Sequence, residues 1–267
     1  MKNQTRLIFQ VTVSLLILLL ISPGCKESGE YELVWSEEFD YAGKPLETIW
    51  EYETGYVRNK ELQYYTDQIR NVQVDSGCCV IRAILENGDS ITSGSINTFG
   101  KMDFLYGRIE VYAKIPSALG SWPAIWLLGT SRQDVKWPAC GEIDIMEHVG
   151  FDPLKIHANI HTKAYNHVLG TNKGNTIEVV SPWTGFHIYA LEWYEGRMDF
   201  FYDDSLYFSY QNDGAGNNDT WPFDKPHYLV LNLACGGTWG GQEGVDTSLL
   251  PLTFEIDYVR YYKKSAK

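Results

Sequence analysis

The segment GEIDIMEHVG, Gly141 to Gly150, carries Glu142, Asp144 and Glu147 within six residues. Side chains alternate faces along a strand, so Glu142 and Asp144 share one face and Glu147, five positions from Glu142, falls on the other. A β-bulge at Ile145-Met146 resets the alternation by one residue and brings all three acids to one face. Crowding three carboxylates raises electrostatic energy, and a purely structural strand gains nothing from it. Retaining hydrolysis of a glycosidic bond does gain, because it needs two carboxyl groups ~5–5.5 Å apart, one as nucleophile and one as acid, then base. On a bulged strand the two glutamates lie about four ordinary positions apart, ~13 Å between Cα atoms. Arms leaning inward over a concave sheet close most of that gap. Asp144, between them, can share a proton with one glutamate and separate the two pKa values. The residues supply three roles and leave open which glutamate takes which.

Sugar rings present apolar C–H faces with a rim of hydroxyls, so a glycan cleft combines aromatic platforms with a few polar groups. Trp122 and Trp126 are four apart and share one strand face, and Trp239 lies in the glycine-rich GGTWGG, where it can reach a loop rim. Of the nine tryptophans, Trp35, Trp50 and Trp193 read as packing residues, while Trp137 and Trp183 receive no assignment. Asn59, Glu61 and Gln63 alternate along NKELQYY and could share a face. His161, in IHT, is expected to hydrogen-bond a sugar hydroxyl near the acid/base. His148, directly after Glu147, should face away from the acids and pack.

These side chains need strands to hold them. Segments rich in Val, Ile, Tyr, Phe and Trp recur along the chain: YELVW, CCVIRAIL, GRIEVYAKI, PAIWLLG, GEIDIME, KIHANIHT, FHIYALEWY, RMDFFYDD, SLYFSYQN, HYLVLNLAC and FEIDYVRYY. Turn signals such as ENGDS, YEGR and NDGAGNND separate them. This spacing predicts an antiparallel two-sheet β-sandwich. A short helical turn is expected near GVDTSLLP, capped by Asp246 or Thr247. Aromatic residues on both faces of FHIYALEWYEG and RMDFFYDD suggest a ligand groove along that pair of strands.

A chain of 267 residues with 44% apolar content can build one large core, so one domain is expected over 31–264. Lys2 and Arg6 precede an apolar run ending in SPGC, which reads as a signal peptide over 1–24. The SPGC end resembles a bacterial lipobox, with Ser22 where leucine is usual. That resemblance makes Cys25 the lipidated first residue of the mature chain, 25–30 a short tether, and the protein an exported one anchored to the cell envelope. The formal charge is −12, and removal of the leader's two cations and no acid leaves −14. So acidic a molecule repels nucleic acid and other polyanions, and a neutral substrate fits better. Cys78, Cys79, Cys140 and Cys235 show no zinc spacing and are expected as buried thiols.

At this point the residues carry a resemblance. GEIDIMEHVG, with SWPAIWLLG upstream, resembles the active-site signature of glycoside hydrolase family 16 in its bulged form E-x-D-x-x-E, most closely that of its laminarinase group. The resemblance spans about Val34 to Tyr262 and includes WSEEFD, NKELQYYT, YGRIEVYAKIP, IHTKAYNH, WPFDKPHYLVLNLACGGTWGG and EIDYVRYY. It implies a concanavalin-like β-jelly roll with a concave glycan cleft. Glu142 becomes the nucleophile, Glu147 the acid/base, and Asp144 the residue hydrogen-bonded to the nucleophile. Asn59 is placed on the donor side of the cleft. The implied substrate is β-1,3-glucan or a mixed β-1,3/1,4-glucan, cleaved by a monomer without a catalytic cofactor. A structural calcium is implied on the convex face, with Asp257 and Glu38 as candidate ligands. Family members often carry arginine after the glycine of SGSINT, where this chain has Ser95. Two other readings stay open: a non-catalytic glycan-binding surface protein, and a hydrolase of a galactan of the agar or carrageenan type. A sulfated galactan requires cationic subsites, and few Lys or Arg residues flank the cleft motifs in sequence.

Overall fold

The structure, a computed structural model, describes residues 30–265. The expected leader (1–24), Cys25 and the tether up to residue 29 lie outside the described residues.

The described chain folds into two packed β-sheets with two 3₁₀ turns, as the sequence predicts. All eleven predicted strand segments form strands, and short segments such as Ser95–Asn97 and Lys173–Glu178 add to them. The pairing is antiparallel with one exception, Gln63–Tyr65 beside Ser90–Ser93, which runs parallel. The turn at Thr247–Leu249 is capped as expected, Asp246 accepting from the Ser248 N–H at 3.0 Å.

The seven-stranded sheet carries the site. Its spatial order is Lys173–Glu178, Lys155–His161, Glu142–Glu147, Ser121–Gly129, His227–Cys235, Ser95–Asn97 and Glu51–Tyr52. One face packs Ile125, Leu127, Ile143, Ile145, Met146, Ile160, Leu229 and Leu231 against Ile109, Val111, Tyr189, Leu191, Phe200 and Phe254 of the ten-stranded sheet. Each such side chain contributes about 1.5–3 kcal/mol by leaving water. Alternation sends Trp122, Ala124, Trp126 and Leu128 to the other face. The Ser121–Gly129 strand is therefore buried along its whole length, on both faces.

The groove expected along FHIYALEWYEG and RMDFFYDD does not form. Those strands lie in the ten-stranded sheet. Their inner aromatics, Tyr189, Trp193 and Phe200, fill the core. Outside, Arg108 covers Phe201 at 5.3 Å from the ring centre and bridges Glu110 and Glu192. Outward aromatic residues here support an ion-pair layer. Cys79, Cys140 and Cys235 are buried free thiols as expected, and Cys78 is free but only partly buried.

Candidate active site

The bulge falls where the acidic spacing requires it. Against the Ser121–Gly129 strand, Asp144 pairs with Trp126, and the next pair is Met146 with Ile125. Ile145 is the extra residue. Its carbonyl accepts the Tyr207 hydroxyl at 3.0 Å, which satisfies a group that a bulge leaves out of the ladder. Ile143, Ile145 and Met146 pack in the core, while Glu142, Asp144 and Glu147 line a cleft on the opposite face. Two glycines fix the entry to this strand. Gly141 adopts φ +86°, and a side chain on Gly129 would meet the Cys140 carbonyl at 2.0 Å.

Each acid has its own partners. Glu142 accepts from Trp137 Nε1 at 2.9 Å, and Glu147 accepts from Trp122 Nε1 at 3.0 Å and Asn159 Nδ2 at 3.4 Å. Asp144 is 3% exposed, with His161 Nε2 3.2 Å from its Oδ2. Burial and the neighbouring Asp144 push both glutamates up to about 8. Burial also drives Asp144 well above the ordinary carboxylate range. Enclosed carboxyls so close together resist ionising in concert, so protons stay among them at neutral pH. That is the condition under which one carboxylate can attack while another donates a proton.

The cleft has two lobes, of about 730 and 520 Å³, that share Glu142, Glu147, Trp122, Asn59 and His167. Volumes of this size suit small-ligand sites. Trp122 and Trp126 both face it, as expected from their spacing, and Trp126 is anchored by its Nε1–H to Asn232 Oδ1 at 2.7 Å. Trp239 stands edge-on to Trp122 at 5.4 Å between ring centres. Its loop is tied to Asn59 by the Thr238 N–H bonding the Asn59 carbonyl at 2.8 Å. Trp35, Trp50 and Trp193 pack in or against the core. His148 packs too, its Nε2 3.0 Å from the Pro153 carbonyl.

Several expectations are corrected. His161 lines the smaller lobe together with Glu147, but its nearest carboxylates are Asp144 and Glu142. It is the cross-strand partner of Glu142, 3.7 Å from Glu142 Oε1, and His157 is the histidine opposite Glu147. Asn59, Glu61 and Gln63 do not alternate along a strand, because Asn59 and Lys60 both take left-handed backbone, φ +54°. Asn59 and Glu61 still line the cleft, bonded to each other at 3.2 Å, while Gln63 is buried and donates to Glu61 at 2.7 Å. Ser95 donates at 2.7 Å to Glu53, the carboxylate that Arg58 also grips. Glu38 and Asp257 do not form a calcium site as they stand. Both Glu38 oxygens accept from Arg260 at 2.9 Å, whereas calcium needs six to eight oxygens free to coordinate.

Sequence reasoning missed Trp137, Asn159, His157 and Asn232, all of them cleft residues. The period-two run His157, Asn159, His161 in KIHANIHT was the available signal for two of them. Cations were missed as well: Arg58, Arg132 and Lys136 line the larger lobe. Arg58 is paired with Glu53 and lies 5.0 Å from the Trp126 ring centre, and Arg132 donates to the Tyr228 hydroxyl at 2.7 Å.

A β-sandwich face that presents two half-buried glutamates, with a buried aspartate between them and tryptophans around them, defines the site of a glycoside hydrolase. Comparison with known proteins agrees. Residues 43–260 match glycosyl hydrolases family 16, and the chain belongs to that family. It is 44% identical to a beta-glucanase of Rhodothermus marinus, across 98% of this chain and 96% of that one. The solved laminarinase of Rhodothermus marinus superposes with a TM-score of 0.84 at 45% identity, covering 88% of this chain and 98% of the other. SCLam, a non-specific endo-β-1,3(4)-glucanase, superposes at 0.83 with 45% identity, covering 88% and 92%.

Proposed function

We propose that this protein is an endo-acting, retaining hydrolase of β-1,3-glucan that also accepts mixed β-1,3/1,4-linked chains. The observation that carries the reading is the bulged strand, which presents Glu142, Asp144 and Glu147 to one cleft with a lobe on either side. Similarity to the Rhodothermus marinus proteins and to SCLam supports the substrate.

In the mechanism we assign, Glu142 attacks the anomeric carbon while Glu147 gives its proton to the departing glycosidic oxygen. The glycosyl–Glu142 ester is then attacked by water, Glu147 taking the proton back. Trp137 Nε1–H holds Oε2 of Glu142, while His161 Nε2 lies 3.7 Å from the other oxygen. Asp144, adjacent and buried, holds the proton that Glu142 must not carry when it attacks. The double displacement draws on carboxyl groups alone and needs no metal. Trp122, Trp126 and Trp239 are assigned as platforms for glucosyl rings, and Asn59 as a hydroxyl contact on the donor side. We further propose that residues 1–24 are a lipoprotein signal peptide and that the mature monomer is anchored to the cell envelope through Cys25. That claim rests on the leader sequence, and metabolic lipid labelling that persists in Cys25→Ala would refute it.

Arg132 and Lys136 on the cleft wall favour a second substrate reading, a sulfated galactan. Reducing-sugar release and product sizing on laminarin, lichenan, agarose and carrageenan separate the two. Oligosaccharides from laminarin, with or without lichenan, carry the first reading. Release only from a galactan transfers the same carboxylates to the second, and silence on all four supports a binding protein instead.

A further inference from the structure

Glu142, Asp144 and His161 hold one donor atom each within 4.8 Å of the other two, the one such gathering of metal-ligating side chains among the described residues. His161 Nε2 is 3.2 Å from Asp144 Oδ2 and 3.7 Å from Glu142 Oε1. A tetrahedral zinc ion with bonds of ~2.0–2.1 Å has ligand–ligand edges of roughly 3.3–3.4 Å. These two separations straddle that edge, and the third, between Glu142 and Asp144, is within 4.8 Å, so seating an ion requires the two carboxylates to close on it.

A second observation points the same way. Asp144 is 3% exposed, and its Oδ2 accepts no hydrogen bond. The His161 contact is close but misaligned for one. An enclosed Asp144 oxygen facing a histidine nitrogen and another carboxyl group is a ligand position for a cation, which would displace the proton shared among these acids on binding. One imidazole and two carboxylates supply three ligands of types that zinc accepts, with a fourth position open to the cleft as in open zinc sites. Calcium and magnesium are poor matches, since both are hard ions that prefer a shell made of oxygens alone.

We propose that this cleft binds one zinc ion through Glu142, Asp144 and His161, and that the ion reversibly blocks hydrolysis. Coordination occupies the lone pair with which Glu142 would attack and fills the space that the reacting sugar needs. The block rests on the hydrolase reading; the binding does not. His161 Nδ1 is buried with no acceptor. Ligating histidines ordinarily anchor that second nitrogen, and loss of such anchors weakens sites ~10–100-fold. Zinc should therefore leave readily to a chelator.

The test is calorimetric titration of the full chain with zinc chloride in the absence of glycan, beside magnesium and calcium chloride. One zinc per chain is expected, removed by EDTA, with affinity at least tenfold lower in both His161→Phe and Glu142→Gln. Thermal unfolding checks that each variant is folded. Wild-type protein gives an independent reading if a variant fails: a bound laminari-oligosaccharide must compete with zinc, and zinc must inhibit laminarin hydrolysis competitively. No binding up to millimolar zinc, undiminished affinity in folded variants, equal binding of calcium, or zinc and oligosaccharide bound together would each overturn the site. Zinc binding as expected in a chain inactive on laminarin supports the site and sinks only the substrate reading.

Discussion

Replacing Glu147 by glutamine should stabilise the protein in alkali and destabilise it in acid. Burial and Asp144 raise Glu147 from 4.5 to about 8, so the fold favours its protonated form. Stability from this group is complete below the unfolded value near 4.5, declines as pH rises, and is lost once pH passes about 8. The whole gap is worth about 5 kcal/mol at 1.36 kcal/mol per pKa unit. Protons are shared with Glu142 and Asp144, so removing one acid relieves part of that, about 2–3 kcal/mol at pH 9. Glutamine retains an oxygen for Trp122 Nε1, but its amide meets Asn159 Nδ2 where the carboxylate accepted. That mismatch costs about 1 kcal/mol at every pH. For a chain of this size 1 kcal/mol moves the unfolding temperature by roughly 2–4 °C. The variant should therefore melt about 2–4 °C below wild type at pH 5 and about 2–8 °C above it at pH 9. Circular-dichroism melts at pH 5, 7 and 9 read both curves. A constant offset between them, with no crossing, would refute the electrostatic account of this site.

Glu142→Gln should lower laminarin turnover by at least about 10³-fold, because it removes the covalent step, while oligosaccharide binding read by tryptophan fluorescence persists. Residual activity within tenfold of wild type would sink the nucleophile assignment. Trp137→Phe deletes the 2.9 Å bond to Glu142, a charge-assisted contact worth about 1.5–3 kcal/mol. Its kcat should fall ~10–100-fold and the acidic limb of the kcat/KM profile should move to higher pH; an unmoved limb would mean that Trp137 only packs. Gly129→Ala would drive a methyl against the Cys140 carbonyl, and denaturant titration should show a loss of at least about 2 kcal/mol. A neutral result would show that the link between the Ser121–Gly129 and Glu142–Glu147 strands can yield.

Period-two patterning made the long strands legible, and the acidic spacing made the bulge legible before any coordinates. The backbone at Asn59-Lys60 was hidden, because two consecutive left-handed residues without glycine leave no mark in a pattern of apolar alternation. Trp137 escaped because it belongs to no strand; it reaches Glu142 from the turn that precedes it. His161 was read from its own neighbours, whereas its position opposite Glu142 is a matter of cross-strand register. The cleft cations flank the motifs in sequence, Arg58 before NKELQYYT, Arg132 in the 3₁₀ turn after Ser121–Gly129 and Lys136 before WPACGEIDIMEHVG; what apolar alternation does not carry is that these side chains turn into the cleft.

The bulge at Ile145 also bears on how this segment tolerates change in length. Loss of Ile145 would leave Glu, Asp and Glu at strictly alternate positions, still on the cleft face, with Ile143 and Met146 still on the core face. The strand thus has a second solution to the same geometry, one residue shorter, reached without exchanging any acid. An added residue has no such outlet, since it would turn Glu147 into the core. Length variation in this strand is one-sided, and a shortened, regular version of it is a simple variant with which to ask how much the bulge itself contributes to turnover.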